Sequence, residues 1–211
     1  MCIKPEELFI RNEKWAKKKL EEDSEYFTRL SEIQRPNYLW IGCSDSRVPA
    51  NEIVGMDPGE LFVHRNVANV VPHSDANCLA VIQYAVEVLG VEHISVTGHY
   101  GCGGIRAALG DKDHGQIDNW LANIKDVLRN NYAEIEAIPD ENDKVDRLCE
   151  LNVIQQVRNV AKTSIIQKAW RNKKNVTIHG WIYGLTDGRM RDLKVDITGN
   201  DQIHPAYRIN S

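Results

Sequence analysis

Apolar positions in the first 35 residues recur at helical spacing, with Leu8, Trp15 and Leu20, then Tyr26, Leu30 and Ile33, set among charges. The spacing predicts one or two amphipathic helices closed by the Arg35-Pro36 break. The run KKKLEED at 17–23 reads as a solvated helix face with i,i+4 pairing, not as a binding patch. Beyond Pro36 the pattern shortens. Residues 38–43 form a compact apolar run of the kind a buried strand shows. Residues 61–64, introduced by Asp57-Pro58-Gly59, form a second run and 93–98 a third. Residues 74–89 read as a helix capped by Ser74 or Asp75 and ended by Gly90. A glycine-rich segment opens a short helix over 105–109, and 116–137 and 143–171 are long helical stretches parted by Asn, Asp and Pro139. The last strands, 175–183 and 190–197, are joined at Thr186-Asp187-Gly188. Strands alternating with helices predict an α/β fold: four mostly parallel strands plus an antiparallel edge strand, flanked by helices, with an N-terminal helical arm over 1–35. No internal repeat or interior linker interrupts the 211 residues, so a single domain is expected, large enough to bury a core without staples.

Composition narrows the classes. Apolar residues make up 42% and charged ones 27%, as in ordinary globular proteins. No run of about 18 apolar residues suggests a membrane span, and the N-terminus lacks the apolar stretch of a secretory leader. Lys and Arg total 26 against 30 Asp and Glu, a net charge of −4 that gives no electrostatic reason to expect nucleic acid as a partner. Five scattered cysteines argue against a disulfide framework and for reduced thiols in the cytoplasm. Cys2 reads as an exposed terminal thiol, and Cys78 and Cys149 as small core hydrophobes. His73, His93, His114 and His204 read as structural. No C-x-x-C is present, which weighs against dithiol redox chemistry.

Two segments carry the chemistry, each at the C-terminal end of a predicted strand: Cys43-Ser44-Asp45-Ser46-Arg47 and His99-Tyr100-Gly101-Cys102-Gly103-Gly104. Open α/β sheets place ligands outside the carboxyl ends of their strands. If the two strands are neighbours, Cys43, Asp45, His99 and Cys102 converge, and two thiolates, an imidazole and a carboxylate suit tetrahedral zinc. Cys102 also lies near a helix N-terminus, where the dipole favours a thiolate. The glycines alone lack the spacing of a Walker A or dinucleotide fingerprint.

The segments CSDSRVPA and GHYGCGG, with FVHRNVANVV between them, closely resemble the β-class carbonic anhydrases; the resemblance runs from about Gln34 to Gly104 and continues weakly to Gly184. It implies a zinc lyase that interconverts carbon dioxide and bicarbonate, with one Zn2+ per chain held by Cys43, His99 and Cys102. Asp45 either takes the fourth position or releases it to water, and Arg47 matches the arginine that pairs with this aspartate. The implied substrate pocket comprises Gln34, Phe62, Val67, Tyr84 and Gly103, completed across a homodimer interface, often within a homotetramer built as a dimer of dimers. Trp40, Arg65 and Tyr183 match three residues that form a non-catalytic bicarbonate pocket in one bacterial subgroup, where the anion favours Asp45 on zinc. Two alternatives stay open: hydrolysis of carbon disulfide or carbonyl sulfide on the same scaffold, and a non-catalytic zinc protein. The proton shuttle is unassigned, with His64 and His73 candidates by type and proximity alone.

Overall fold

A computed structural model of the chain describes residues 3–32 and 35–209. Cys2 and Gln34, which the sequence reading assigned to an exposed thiol and the substrate pocket, lie outside the described residues. The chain forms two compact units divided between residues 34 and 35.

The first unit holds α1 (Pro5–Glu22) and α2 (Tyr26–Ser31). Pro5 opens α1, Glu6 and Glu7 occupy its first turn and Lys19 its last, all matched to the helix dipole. Trp15 meets Tyr26 and Phe27 edge-on, with centroids 6.4 and 5.5 Å apart, and so ties the two helices together.

The second unit is a five-stranded sheet with helices. In chain order it runs β1 (Tyr38–Cys43), α3 (Ala50–Val54), β2 (Leu61–Asn66), α4 (Ala76–Gln83), β3 (His93–His99) and α5 (Gly103–Leu109). It continues through α6 (Ile117–Asn130), α7 (Tyr132–Glu136), α8 (Glu141–Lys162), α9 (Ser164–Arg171), β4 (Thr177–Tyr183) and β5 (Met190–Asp192). The strand order is β2-β1-β3-β4-β5, parallel except for β5. Asp75, one of the two caps the sequence offers, caps α4 through the N–H groups of Asn77 and Cys78, and a π-helical segment, Tyr84–Leu89, continues that helix to Gly90.

Three boundaries depart from the sequence reading, the first being the helix predicted over 116–137, which breaks at Asn131 into α6 and α7. The predicted strand over 190–197 keeps its ladder only to Asp192, because Lys194 turns left-handed (φ 58°) and pairing resumes as a single bridge, Ile178 to Ile197. The helix predicted over 143–171 breaks at Thr163, whose hydroxyl caps α9.

One face of the sheet carries the main core. Leu39, Ile41, Ile94, Val96 and Ile178 bury against Val153, Val157 and Val160 of α8. Glycine sets this distance. A Cβ on Gly98 would come within 2.7 Å of the Val153 side chain, and one on Gly180 within 3.2 Å of Val157. The parallel register pairs Gly42 with both Arg65 and Thr97, and Thr97 with Trp181. With side chains alternating, Trp40, Arg65, Trp181 and Tyr183 share the opposite face.

Candidate metal centre

β1 and β3 are neighbours, so their C-terminal ends bring the two predicted segments together. Cys43 ends β1, His99 ends β3, and Cys102 caps α5 after a turn in which Gly101 takes φ 64°. Their donor atoms lie within 4.8 Å of one another, and all three residues are buried. The Sγ atoms of Cys43 and Cys102 are 3.8 Å apart. That is the separation of roughly 3.8 Å expected for two thiolates at ~2.3 Å from one tetrahedral ion. His99 Nδ1 sits 3.0 Å from the Tyr100 carbonyl, which fixes its proton there. Its Nε2 is left buried without a hydrogen-bond partner, and an orphaned imidazole lone pair beside two thiols suits a metal ligand.

Electrostatics agree. The Cys43 thiol is held below the ordinary thiol range, chiefly by its contact with Cys102, with His99 and the backbone N–H groups of Asp45 and Ala68 adding to this against the cost of burial. Cys102 is pushed up by the neighbouring Cys43 and by burial. The pair sheds one proton readily and retains the other, which a divalent cation would displace.

Asp45 does not join the trio. Its carboxylate turns toward Arg47, 3.5 Å away, and faces Gly103. Three protein donors with a fourth position uncommitted is the arrangement of a catalytic zinc site, whereas structural sites are closed by four. Val67 packs on Gly104, where a Cβ would meet it at 2.8 Å, so this glycine lets the 67–71 loop approach α5 closely. Val67, Gly103 and Asp45 therefore lie beside the trio.

Phe62 and Tyr84 do not. Their rings meet each other at 5.7 Å. Phe62 pairs with Leu39, four residues before Cys43 and hence about 13 Å back along the strand. The single chain leaves this pair outside its own site.

Trp40, Arg65 and Tyr183 share a sheet face, yet among the described residues no hydrogen bond joins them. Trp40 packs with Ala50, Leu61 and Trp181. Arg65 donates to the Cys43 carbonyl through Nε (2.9 Å) and one terminal nitrogen (2.7 Å), to the Val48 carbonyl (3.3 Å) and to Ser46 Oγ. The sequence reading missed this tie between Arg65 and the 43–48 loop, since no local pattern links a strand arginine to carbonyls 17 and 22 residues away. It also missed the donors that hold the 67–71 loop, Trp120 Nε1 to the Val67 carbonyl and Asn152 Nδ2 to the Ala68 carbonyl.

A parallel sheet with a Cys-His-Cys trio at its strand ends and a carboxylate beside it defines an α/β metal-dependent enzyme. The carbonic anhydrase family profile matches residues 38–190. A carbonic anhydrase of Emericella nidulans is 48% identical over 194 residues, 92% of this chain and 85% of the relative. The solved β-carbonic anhydrase of Coccomyxa superposes with a TM-score of 0.89 at 37% identity, covering 95% of this chain and 90% of that one. One of two tetrameric β-carbonic anhydrases from Sordaria macrospora does so with 0.87 at 39% identity, covering 92% and 98%. The chain belongs to the carbonic anhydrase family, in its β class.

Proposed function

We propose that the protein catalyses the reversible hydration of carbon dioxide to bicarbonate and a proton, with one zinc ion held by Cys43, His99 and Cys102. The observation that carries this reading is the buried trio with its 3.8 Å sulfur separation and unpartnered His99 Nε2. A zinc ion held there would supply Lewis acidity, making water acidic enough to lose a proton nearer neutral pH. The protein groups do the rest. Asp45, beside the trio and free of it, accepts a hydrogen bond from the attacking water and so orients its lone pair toward carbon. Arg47 holds that carboxylate away from the three donors. A Cβ on Gly103 would stand 3.6 Å from an Asp45 carboxylate oxygen, so glycine there keeps a side chain off the carboxylate where a small apolar substrate would approach, with Val67 as its apolar neighbour. Phe62 and Tyr84, paired away from their own chain's trio, complete the pocket of a second copy, with Gln34 as a donor to a substrate oxygen; the protein then works as a homodimer or a homotetramer. A tetrameric relative supports this assembly.

The same reading includes regulation by bicarbonate at Trp40, Arg65 and Tyr183. What supports it is where the Arg65 guanidinium is anchored: the Cys43 carbonyl, Ser46 Oγ and the Val48 carbonyl all belong to the loop that carries Asp45 and Arg47. An anion that takes over these N–H donors loosens the loop and frees Asp45 to move onto the metal. The anion must prefer that closed form to act at all, and weakening its site then favours the open one.

Stopped-flow hydration of carbon dioxide, with metal content measured on the same sample, tests the main reading. Zinc-loaded protein that hydrolyses carbon disulfide but leaves carbon dioxide untouched overturns it. Trp40→Phe tests the regulation: non-competitive inhibition by bicarbonate should weaken while zinc content holds. Purely competitive inhibition, identical in both proteins, reduces Trp40 to core packing.

A further inference from the structure

The 67–71 loop is held in a conformation that its own sequence does not favour. Ala68 (φ 62°, ψ 29°) and Asn69 (φ 47°) are consecutive left-handed residues, and neither is glycine. Such a pair persists only when its surroundings over-determine it. Here the surroundings are a set of side-chain clamps. Trp120 Nε1 donates to the Val67 carbonyl at 2.8 Å. The Asn66 amide brackets Val70, accepting from its N–H at 2.8 Å and donating to its carbonyl at 2.7 Å.

The remaining clamps come from α8. Asn152 Nδ2 donates to the Ala68 carbonyl at 2.9 Å, and the Val71 N–H donates to Gln156 Oε1 at 2.9 Å. Gln156 Nε2 donates to Asn152 Oδ1, also at 2.9 Å, and Asn159 Nδ2 donates to Gln156 Oε1. Asn152 and Gln156 are each 1% exposed. Buried amides on a helix are costly unless paired, and this ladder spends its pairing on one loop. What the left-handed turn delivers is the Ala68 N–H, which points at Cys43 Sγ from 3.2 Å. An N–H directed at a ligating sulfur draws charge from it and so tunes how strongly it donates to a metal.

We propose that Asn152 is a positioning residue for the metal ligand Cys43, holding Ala68 left-handed so that its N–H meets the sulfur. The inference rests on the carbonic anhydrase reading of the trio. Losing the clamp lets Ala68 relax toward the right-handed or extended regions and swings its N–H off the thiolate. The thiolate then donates more charge to the metal, and the metal becomes a weaker acid.

The test uses the full chain loaded with zinc and, separately, with cobalt(II). In Asn152→Leu the thiolate-to-cobalt charge-transfer band should move to lower energy, and the pH midpoint of hydration should rise. Turnover should fall by about 10- to 100-fold, the usual cost of a lost outer partner of a metal ligand. Asn152→Ser, whose smaller side chain leaves room for a water, serves if the leucine variant does not fold. Adding Ala68→Gly to either variant supplies a residue that takes positive φ without a clamp. It should return the band at least halfway to its wild-type position, and should restore the metal if either variant has lost it. A folded, metal-loaded Asn152 variant with the wild-type band and midpoint overturns the proposal. So does failure of Ala68→Gly to recover what was lost, which assigns Asn152 to packing alone. Loss of carbon dioxide hydration by the wild type would strike the underlying reading instead, and leaves the cobalt comparison intact.

Discussion

Removing the guanidinium of Arg47 puts a number on the proposed hold over Asp45. The two groups are 3.5 Å apart, with the arginine side chain 58% and the aspartate 47% exposed. Unit charges at that distance in water attract by about 1 kcal/mol, and exposed pairs typically deliver no more than ~1 kcal/mol. A shift of that size changes an open-to-closed ratio by at most about fivefold. Arg47 also takes φ 61°, but alanine keeps the Cβ, so the substitution leaves the backbone conformation equally demanding. Arg47→Ala is therefore expected to keep one zinc per chain and lose about two- to fivefold in kcat at low salt. Raising the ionic strength to about 1 M, where the screening length is ~3 Å, should bring the wild type toward the variant. Stopped-flow hydration against salt concentration, with metal analysis, reads both effects. A loss of about 100-fold with zinc retained, worth ~2.7 kcal/mol, exceeds what this ion pair supplies and would place Arg47 in the chemistry itself. No change at any ionic strength would remove the hold altogether.

Further outcomes follow from the same geometry. Cys102→Ala should bind zinc far below one equivalent, since it strips a charged ligand from a buried trio; full occupancy by metal analysis would unseat the ligand set. Burial pushes Cys78 and Cys149 up to about 12, so neither should react with a thiol reagent at pH 8 in the folded protein. Because the unfolded thiols ionise first, stability should decline as pH rises from 9 toward 12, read as a falling denaturation midpoint. Burial also lowers the pKa of His64, with Asp75 opposing it. The unfolded chain thus takes up this proton first, and stability should fall as pH drops through about 6.5, a slope that His64→Gln should flatten.

The trio was legible because its members sit at the ends of two short apolar runs, where strand periodicity and the α/β rule for ligand sites coincide. The sheet's make-up was legible for the same reason, as was the Asp75 cap. The last strand was over-read, since alternation continues past the point where Lys194 turns left-handed. The loop clamps were not legible. Asn152 and Gln156 look like the polar face of a long helix, and only the packing of α8 on the sheet reveals that this face is interior. Ala68 gave no warning either, since a left-handed turn is sought at glycine or asparagine. Phe62 and Tyr84 entered through resemblance, and periodicity could not place them at the trio, because the register sets Phe62 about 13 Å back along the strand from Cys43, with Tyr84 packed against it.

The two bare positions under α8 bear on inheritance. A methyl group at Gly98 would run into Val153, one residue along from Asn152, and one at Gly180 would meet Val195 at 2.5 Å and crowd Val157, five residues along, at 3.2 Å. Each is small and without reactive atoms, so a survey of variants scored by chemistry would pass over both. Yet lifting the helix by a fraction of an ångström would move Asn152 with it and, on the positioning role proposed for that residue, slacken the loop at Cys43. Alanine at Gly180 would leave the segments that carry the resemblance untouched, whereas alanine at Gly98 alters the first residue of GHYGCGG itself. Any deficit would then lie in the turn at Ala68, with all three residues of the trio still in place.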